Sequence, residues 1–220
     1  MDTDNPAYMR WYSDITEPAQ FVIYPDGCRD IILTTDRNGS VSAELTSFDF
    51  KPRSITLHPG QRMTGFRLRP GLCVDQAGLA GIRDEKDATD LIHDADTRLA
   101  ETSAALAALG TGGATVAQVA RGSGVSPRTL QRRFRTLGLP MPEFWRLLAR
   151  ARRAAIDLAS DHPLVDIAGI HGYADQAHMS RACKYWFSHT PGQIRRNRRI
   201  LSDINQPALG TWTGEQISIR

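Results

Sequence analysis

The C-terminal half of the sequence repeats itself, and this duplication constrains the fold more than any other feature. Val119-Ala120, followed after three residues by Gly124-Val125, matches Ile167-Ala168 and Gly172-Tyr173 at an offset of 48. Beyond the turn the offset becomes 49, because the second turn contains one inserted residue. Four further pairs then align, namely Leu130 with Met179, Phe134 with Cys183, Pro142 with Pro191 and Trp145 with Ile194.

Each copy contains the residue types that two helices joined by a short turn require. In the first copy, the small Ala120 lets two helices cross closely, and Gly124 stands where the first helix ends and the backbone needs φ > 0. Ser126 is a good N-cap for the next helix. The second copy has the matching residues Ala168, Gly172 and Asp175. The duplication therefore predicts two helix-turn-helix units.

Polar side chains recur on the outer face of the second helix of each unit, which should lie in the major groove of DNA. In the first unit these are Arg128, Gln131, Arg132 and Arg135. In the second unit Gln176, Ser180 and Lys184 share one face, with His178 and Arg181 beside it. Arginine pairs with guanine and glutamine with adenine, while the remaining cations would hold phosphates. The alternative is an unrelated helical bundle with solvated arginines.

A long amphipathic segment, Pro142–Ala159, separates the two units. It predicts a helix of about 18 residues and about 27 Å. Such a helix could place the recognition helices about 34 Å apart, in successive major grooves. Its arginines are Arg146, Arg150, Arg152 and Arg153. They could touch phosphate, but solvation or pairing with Asp157 and Asp161 is the favoured interpretation for most of them.

Charge divides the chain into two halves. Residues 1–110 have 11 Lys/Arg against 17 Asp/Glu, whereas residues 111–220 have 16 against 7. The basic half therefore suggests a polyanionic partner, although a solvated basic surface would have the same composition.

The N-terminal half predicts short strands separated by turn signals. They are Gln20–Tyr24, Asp30–Thr35, Val41–Leu45, Ser54–Leu57 and Thr64–Leu68. One or two helices should follow within Asp84–Ala108, and a glycine-rich linker at Gly110–Gly113. The predicted fold class is α+β with two domains: a β-rich sandwich or barrel with flanking helices over 1–110, and an all-α domain over 111–200. Residues 201–220 form a tail that is either mobile or folded back.

Two segments resemble a known family. VAQVARGSGVSPRTLQRRFRTLG and DIAGIHGYADQAHMSRACKYWFSHTPGQIRR resemble the two DNA-binding units of AraC/XylS regulators, over about 115–199. The resemblance implies seven helices, and it assigns base reading to Arg128, Gln131 and Arg132, and to Gln176, Ala177, His178 and Arg181. Ala177 offers no hydrogen bond, Cys183 stands where the family usually has phenylalanine, and Ile194 replaces a common tyrosine. PDGCRDIIL and GFRLRPG resemble a small β-rich domain that precedes this module in some members.

The function predicted is a sequence-specific DNA-binding transcription regulator modulated by its N-terminal domain. The full set of predicted DNA-binding residues is Ser126, Arg128, Gln131, Arg132, Arg135, Gln176, Ala177, His178, Ser180, Arg181 and Lys184. Double-stranded DNA is the main partner; a small-molecule effector, a second copy of the chain and, for an activator, RNA polymerase are further hypotheses. The alternatives are a β-domain enzyme tethered to DNA and a constitutive DNA binder without effector.

Other chemistry finds little support in the sequence. No nucleophile motif, Gly-rich phosphate loop or metal-ligand spacing is present, so we predict no enzyme, no catalytic residue, no cofactor and no metal. Cys28, Cys73 and Cys183 are odd in number and scattered, which favours a reducing cytoplasm. No apolar stretch is long enough to span a membrane. Arg67 and Arg69 share a strand face that could meet an anionic ligand, but a solvated edge is favoured.

Overall fold

The computed structural model describes residues 6–36, 38–60 and 62–212, which contain six strands and ten helices. The strands are β1 (Tyr8–Asp14), β2 (Ala19–Ile23), β3 (Asp30–Thr35), β4 (Val41–Leu45), β5 (Arg53–Leu57) and β6 (Arg62–Leu68). They form a four-stranded antiparallel sheet in the order β1-β6-β3-β4 and a separate β2-β5 pair. The five predicted strands are confirmed, while β1 was not predicted.

The larger sheet packs its apolar face against a helix. The helices of this half are α1 (Gln76–Leu79), α2 (Glu85–Arg98) and α3 (Ala100–Gly110). Ile31 and Phe66, on neighbouring strands, are fully buried in one cluster with Ile92 of α2. Because side chains alternate along a strand, every second residue of β3 enters this core, which gives the alternating burial of Ile31 and Leu33.

Seven helices follow between residues 116 and 204, as the family resemblance implies. They are α4 (Val116–Gly122), α5 (Pro127–Thr136), α6 (Pro142–Asp157), α7 (Leu164–Ile170), α8 (Gln176–Phe187), α9 (Pro191–Arg196) and α10 (Arg198–Ile204). Two helix-turn-helix units, α4–α5 and α7–α8, precede and follow the long α6 along the chain. The predicted α+β class, with a β-rich first part and an all-α second part, is confirmed. The long helix is 16 residues, slightly shorter than expected.

Aromatic side chains of the β-rich half pack directly on the helical half. Tyr24 belongs to the same buried cluster as the interior of the seven helices. Phe48 meets Trp145 of α6 edge-on, with ring centroids 5.5 Å apart, and Phe50 lies 5.1 Å from Phe144. The two halves are therefore joined by apolar contact as well as by the chain.

The segment after α10 connects the two halves further. Ala208 and Leu209 are buried, and the Leu209 amide donates to the Asp26 carbonyl at 3.0 Å. The Trp212 Nε1–H donates to the Pro6 carbonyl at 3.0 Å. Of the predicted tail, residues 201–212 thus include the end of α10 and a packed segment, whereas 213–220 lie outside the described residues.

Three arginines depart from the sequence predictions, because Arg152 is buried and Arg67 and Arg69 are half-buried in ion pairs. Arg152 is only 1% exposed and donates to the Ile204 and Gln206 carbonyls at 2.6 and 2.8 Å, so it contacts neither solvent nor Asp157. Arg67 pairs with Asp26 and donates from Nε to the Pro207 carbonyl at 3.2 Å. Arg69 pairs with Asp96. The expectation of a solvated edge at Arg67 and Arg69 is therefore wrong.

Candidate nucleic-acid interface

The first helix-turn-helix unit is held by backbone bonds that the turn glycine permits. The Val125 amide donates to the Ala120 carbonyl at 3.0 Å, and Gly124 between them has φ of 67°. This left-handed conformation strains any residue with a Cβ. The Ser126 hydroxyl then accepts from the Thr129 amide at 3.1 Å and begins α5, with Pro127 in its first turn. The predicted cap is thus confirmed.

The second unit repeats this geometry. The Tyr173 amide donates to the Ala168 carbonyl at 2.9 Å, and Gly172 has φ of 68°. Ala174 is the extra residue that shifts the offset, after which the Asp175 carboxylate accepts from the His178 amide at 2.6 Å. The repeat read from the sequence is therefore a repeat in structure.

Helix α5 buries one face and exposes the other. Leu130 and Phe134 are buried, four residues apart, in the core of the helical half. The outward residues Arg128, Gln131, Arg132 and Arg135 are exposed, as predicted. With Ser126 and Thr129 they line an open concavity of about 570 Å³. Thr129 was not in the predicted set. Its position one helical turn after the Ser126 cap could have indicated that it shares the outward surface with Ser126.

Helix α8 is built in the same way but presents different chemistry. Met179, Cys183 and Trp186 are buried, as the apolar stripe predicts. The predicted residues Gln176, Ala177, Arg181 and Lys184 are exposed, and Ser180 and His178 are half-buried. The structure therefore brings all six residues to the helix that follows the second turn.

His178 is held by the turn that precedes it. Its ring meets Tyr173 edge-on, with centroids 5.1 Å apart, and its backbone amide is bonded to the Asp175 cap. Tyr173 in turn is covered by the Arg150 guanidinium, 4.4 Å from the ring centroid. The orientation of His178 thus depends on a stack that begins on α6.

Cys183 fills the interior position that Phe134 holds in the first unit. It is fully buried, and burial raises the pKa of its thiol to about 12. The side chain is therefore a neutral, unreactive thiol near pH 7.

The remaining arginines of α6 have local partners. Arg146 pairs with Glu143, its Nε lying 3.0 Å from the carboxylate. Arg153 donates to the Gly110 carbonyl. Asp157 bonds to His171 at 2.7 Å instead of to an arginine. In the described part of the chain, none of these arginines pairs with Asp157 or Asp161; Arg152 is buried, whereas Arg146 and Arg153 remain half-exposed to solvent.

In the part of the chain that the structure describes, no group of three or more His, Cys, Asp or Glu side chains is arranged to hold a metal ion. In the same ranges no helix combines the length and apolar character needed to cross a lipid bilayer.

Comparison with known proteins identifies the class of the helical half. Residues 119–197 match the family model described as a helix-turn-helix domain. The HTH-type transcriptional regulator VirS of Mycobacterium tuberculosis is 36% identical over 105 residues, which are 46% of this chain and 30% of that relative. Residues 119–197 of the helical half are therefore a helix-turn-helix domain, as the resemblance implies.

Two solved structures show some similarity to the chain. One, with an AraC-type DNA-binding domain, comes from Chromobacterium violaceum; it has 22% identity and a TM-score of 0.41 over 51% of this chain and 98% of that one. The other is ToxT of Vibrio cholerae, with 9% identity and a TM-score of 0.41 over 87% and 98% of the two chains.

Proposed function

We propose that this protein is a sequence-specific DNA-binding transcription regulator that inserts α5 and α8 into major grooves. The observation that carries the proposal is the repeated helix-turn-helix geometry, in which each second helix keeps an exposed polar face. On α5 this face is a concavity lined by three arginines and a glutamine. Guanidinium and amide groups are the side chains that make bidentate bonds to guanine and adenine.

Base reading and phosphate binding would be divided among the exposed residues. Arg128, Gln131 and Arg132 would read bases from α5, and Gln176, Ala177, His178 and Arg181 from α8. Ser126, Arg135, Ser180 and Lys184 would contact phosphates and set the register of the helices. With about six phosphates neutralised, the slope of log K against log salt should be near −5.

Modulation by the N-terminal half is part of the proposal, and the packing between the halves supports it. Phe48 and Phe50 pack against α6, the helix that separates the two helix-turn-helix units. A cavity of about 330 Å³ lies where Arg69, Leu106 of α3, Leu209 and Trp212 meet, and this is a suitable volume for a small effector. A ligand there would touch the β-rich half and the segment that follows α10.

The cellular setting follows from the proposed activity. The protein would act on double-stranded DNA in the cytoplasm. A second copy of the chain would be a partner if the DNA sites occur in pairs. RNA polymerase would be a partner if the protein activates transcription. These partners are hypotheses that the DNA site itself would test.

The experiment that tests the proposal is selection of bound DNA from a random pool with the full chain. We expect a bipartite motif whose halves are about one turn, 10–10.5 base pairs, apart. An Arg132→Ala variant should lose base preference in one half of the motif. The control is Arg83, an exposed arginine in the N-terminal half of the protein, whose Arg83→Ala variant should select the same motif as the wild type. A single half-site would mean that only one unit reads, and no enrichment would contradict the proposal.

A further inference from the structure

A cationic cavity lies away from the outer faces of α5 and α8. It has a volume of about 480 Å³ and is formed by the linker after α3, one face of α6 and the turn of the second unit. The linker contributes residues 111–113, and the turn contributes residues 170–172. It therefore touches three parts of the helical half that the sequence alone does not bring together.

Three arginines of α6 line the cavity. Arg146, Arg150 and Arg153 are spaced four and three residues apart, so they project from the same side of the helix. None of the described residues that line the cavity is acidic, but Glu143 pairs with Arg146 from outside the lining, so the uncompensated charge is that of Arg150 and Arg153. A concentration of positive charge in a concave site strengthens the local field that attracts an anion.

The arginines have hydrogen-bonding capacity to spare. Arg150 lies over the Tyr173 ring and donates a long bond, 3.4 Å, to the Gly172 carbonyl, while its buried Nε has no hydrogen-bond partner among the residues that the structure describes. Arg153 bonds to the Gly110 carbonyl, and the pKa of its guanidinium is lowered by burial and by the nearby charge of Arg150. Since a guanidinium has five N–H donors, a carbonyl and a ring leave several unused. An anion between Arg150 and Arg153 would satisfy these donors and relieve the repulsion.

The linker is shaped to admit Arg153. A Cβ at Gly112 would lie 2.6 Å from Nη2 of that arginine, so a larger residue would displace the guanidinium. The linker thus helps to keep Arg153 at the edge of the cavity.

We propose that Arg150 and Arg153, with Arg146 at the rim, bind a phosphate group in this cavity. The planar fork of a guanidinium matches the oxygens of a phosphate, and two forks from one helix face would grip it from one side. The group could belong to a DNA phosphodiester or to a small phosphorylated ligand. Either would bear on the Arg150–Tyr173–His178 stack and so on the start of α8.

The first experiment measures thermal unfolding of the full chain in sodium phosphate, with sodium chloride of equal ionic strength as reference. We expect a saturable rise of Tm in phosphate only. Arg150→Gln should weaken the apparent affinity for phosphate at least tenfold, whereas Arg83→Gln should leave it unchanged. This measurement needs no DNA, so it can succeed or fail independently of the proposed function.

A second variant avoids removing a packed side chain. Ile170 lines the same cavity yet is 67% exposed, so Ile170→Glu should fold normally and place a carboxylate beside the arginines. It should abolish the phosphate effect, while the neutral, equally long Ile170→Gln should retain it. A phosphate effect that persists undiminished in both Arg150→Gln and Ile170→Glu would show that the anion binds elsewhere and would overturn the proposal.

DNA binding distinguishes the two sources of the phosphate group. If it belongs to DNA, Arg150→Gln should weaken binding equally on all sequences and reduce the salt slope by about 1. If it belongs to a small ligand, DNA binding in phosphate-free buffer should be unchanged. The absence of a phosphate effect on the wild-type chain, together with an unchanged salt slope, would also overturn the proposal.

Discussion

The two recognition helices occupy equivalent places but present different side chains to solvent. At the offset of 49, two of the four outward positions of α5 correspond to shorter residues on α8, and the other two keep a long cation. The matched pairs are Arg128 with Ala177, Gln131 with Ser180, Arg132 with Arg181 and Arg135 with Lys184. The duplication has therefore kept the backbone geometry while the surface chemistry diverged. We infer that the first unit makes more of the bidentate base contacts.

The interiors of the two units differ as well. Phe134 in the first unit is replaced by Cys183 in the second, and Val125 by Tyr173. All but Val125 are buried. The second unit thus has two interior groups that can ionise where the first has none.

The largest expected effect is on stability, when the matched interior residues of the two units are replaced by alanine. Phe134→Ala should lower the free energy of unfolding by about 3–5 kcal/mol, because a large cavity replaces the ring. Cys183→Ala should cost about 1 kcal/mol, since only a sulfur atom is lost. Urea unfolding followed by circular dichroism measures both. Equal costs would mean that the second core packs as tightly around its sulfur as the first does around its ring.

The next effect concerns DNA. Arg132→Ala should weaken binding to the selected site by about 1–3 kcal/mol and relax one base position, if the guanidinium is bidentate to guanine. Arg181→Ala, at the matched position, should relax a base in the other half-site. Fluorescence anisotropy with single-base variants of the site measures the change. Uniform weakening on every sequence would instead identify that arginine as a phosphate contact.

The helix caps should have a smaller effect. Ser126→Ala and Asp175→Ala each remove the acceptor for an amide in the first turn, and each should cost about 1 kcal/mol of stability. Asp175→Asn should keep the bond while removing a negative charge close to the proposed DNA surface, so it should tighten DNA binding. Weaker binding by Asp175→Asn would contradict the proposed orientation of α8.

The smallest effect is the contribution of the second unit to the pH dependence of stability. Burial raises the pKa of Cys183 from 9.0 to about 12, so between these values the unfolded chain loses a proton that the folded chain retains. Stability should therefore be complete below pH 9 and fall as the pH rises. From pH 8 to 9.5 this thiol should account for less than about 1 kcal/mol.

The control for the pH effect is Cys183→Ala, because burial raises the pKa of Cys28 and Cys73 in the same direction. The wild-type free energy of unfolding should fall more steeply over this range than that of the variant. Identical slopes would show that the Cys183 thiol ionises equally well in both states.

The parts predicted well from sequence depend on neighbouring residues. The turns at Gly124 and Gly172, the caps at Ser126 and Asp175, and the outward face of α5 follow from patterns within a single helical hairpin. Strand β1 was missed because its burial pattern becomes evident only through its pairing with β6. The DNA contacts assigned to the exposed residues remain predictions.

The sequence by itself determined the two helix-turn-helix units and the polar faces of α5 and α8, because caps, turn glycines and helical periodicity act over a few residues. Only the tertiary structure decided which arginines are buried or half-buried. Arg152 finds its carbonyl acceptors more than 50 residues away at Ile204 and Gln206, and Arg67 reaches Pro207 across 140 residues. A buried cation is stabilised by whichever acceptors the fold brings to it, and local sequence contains no record of these distant partners.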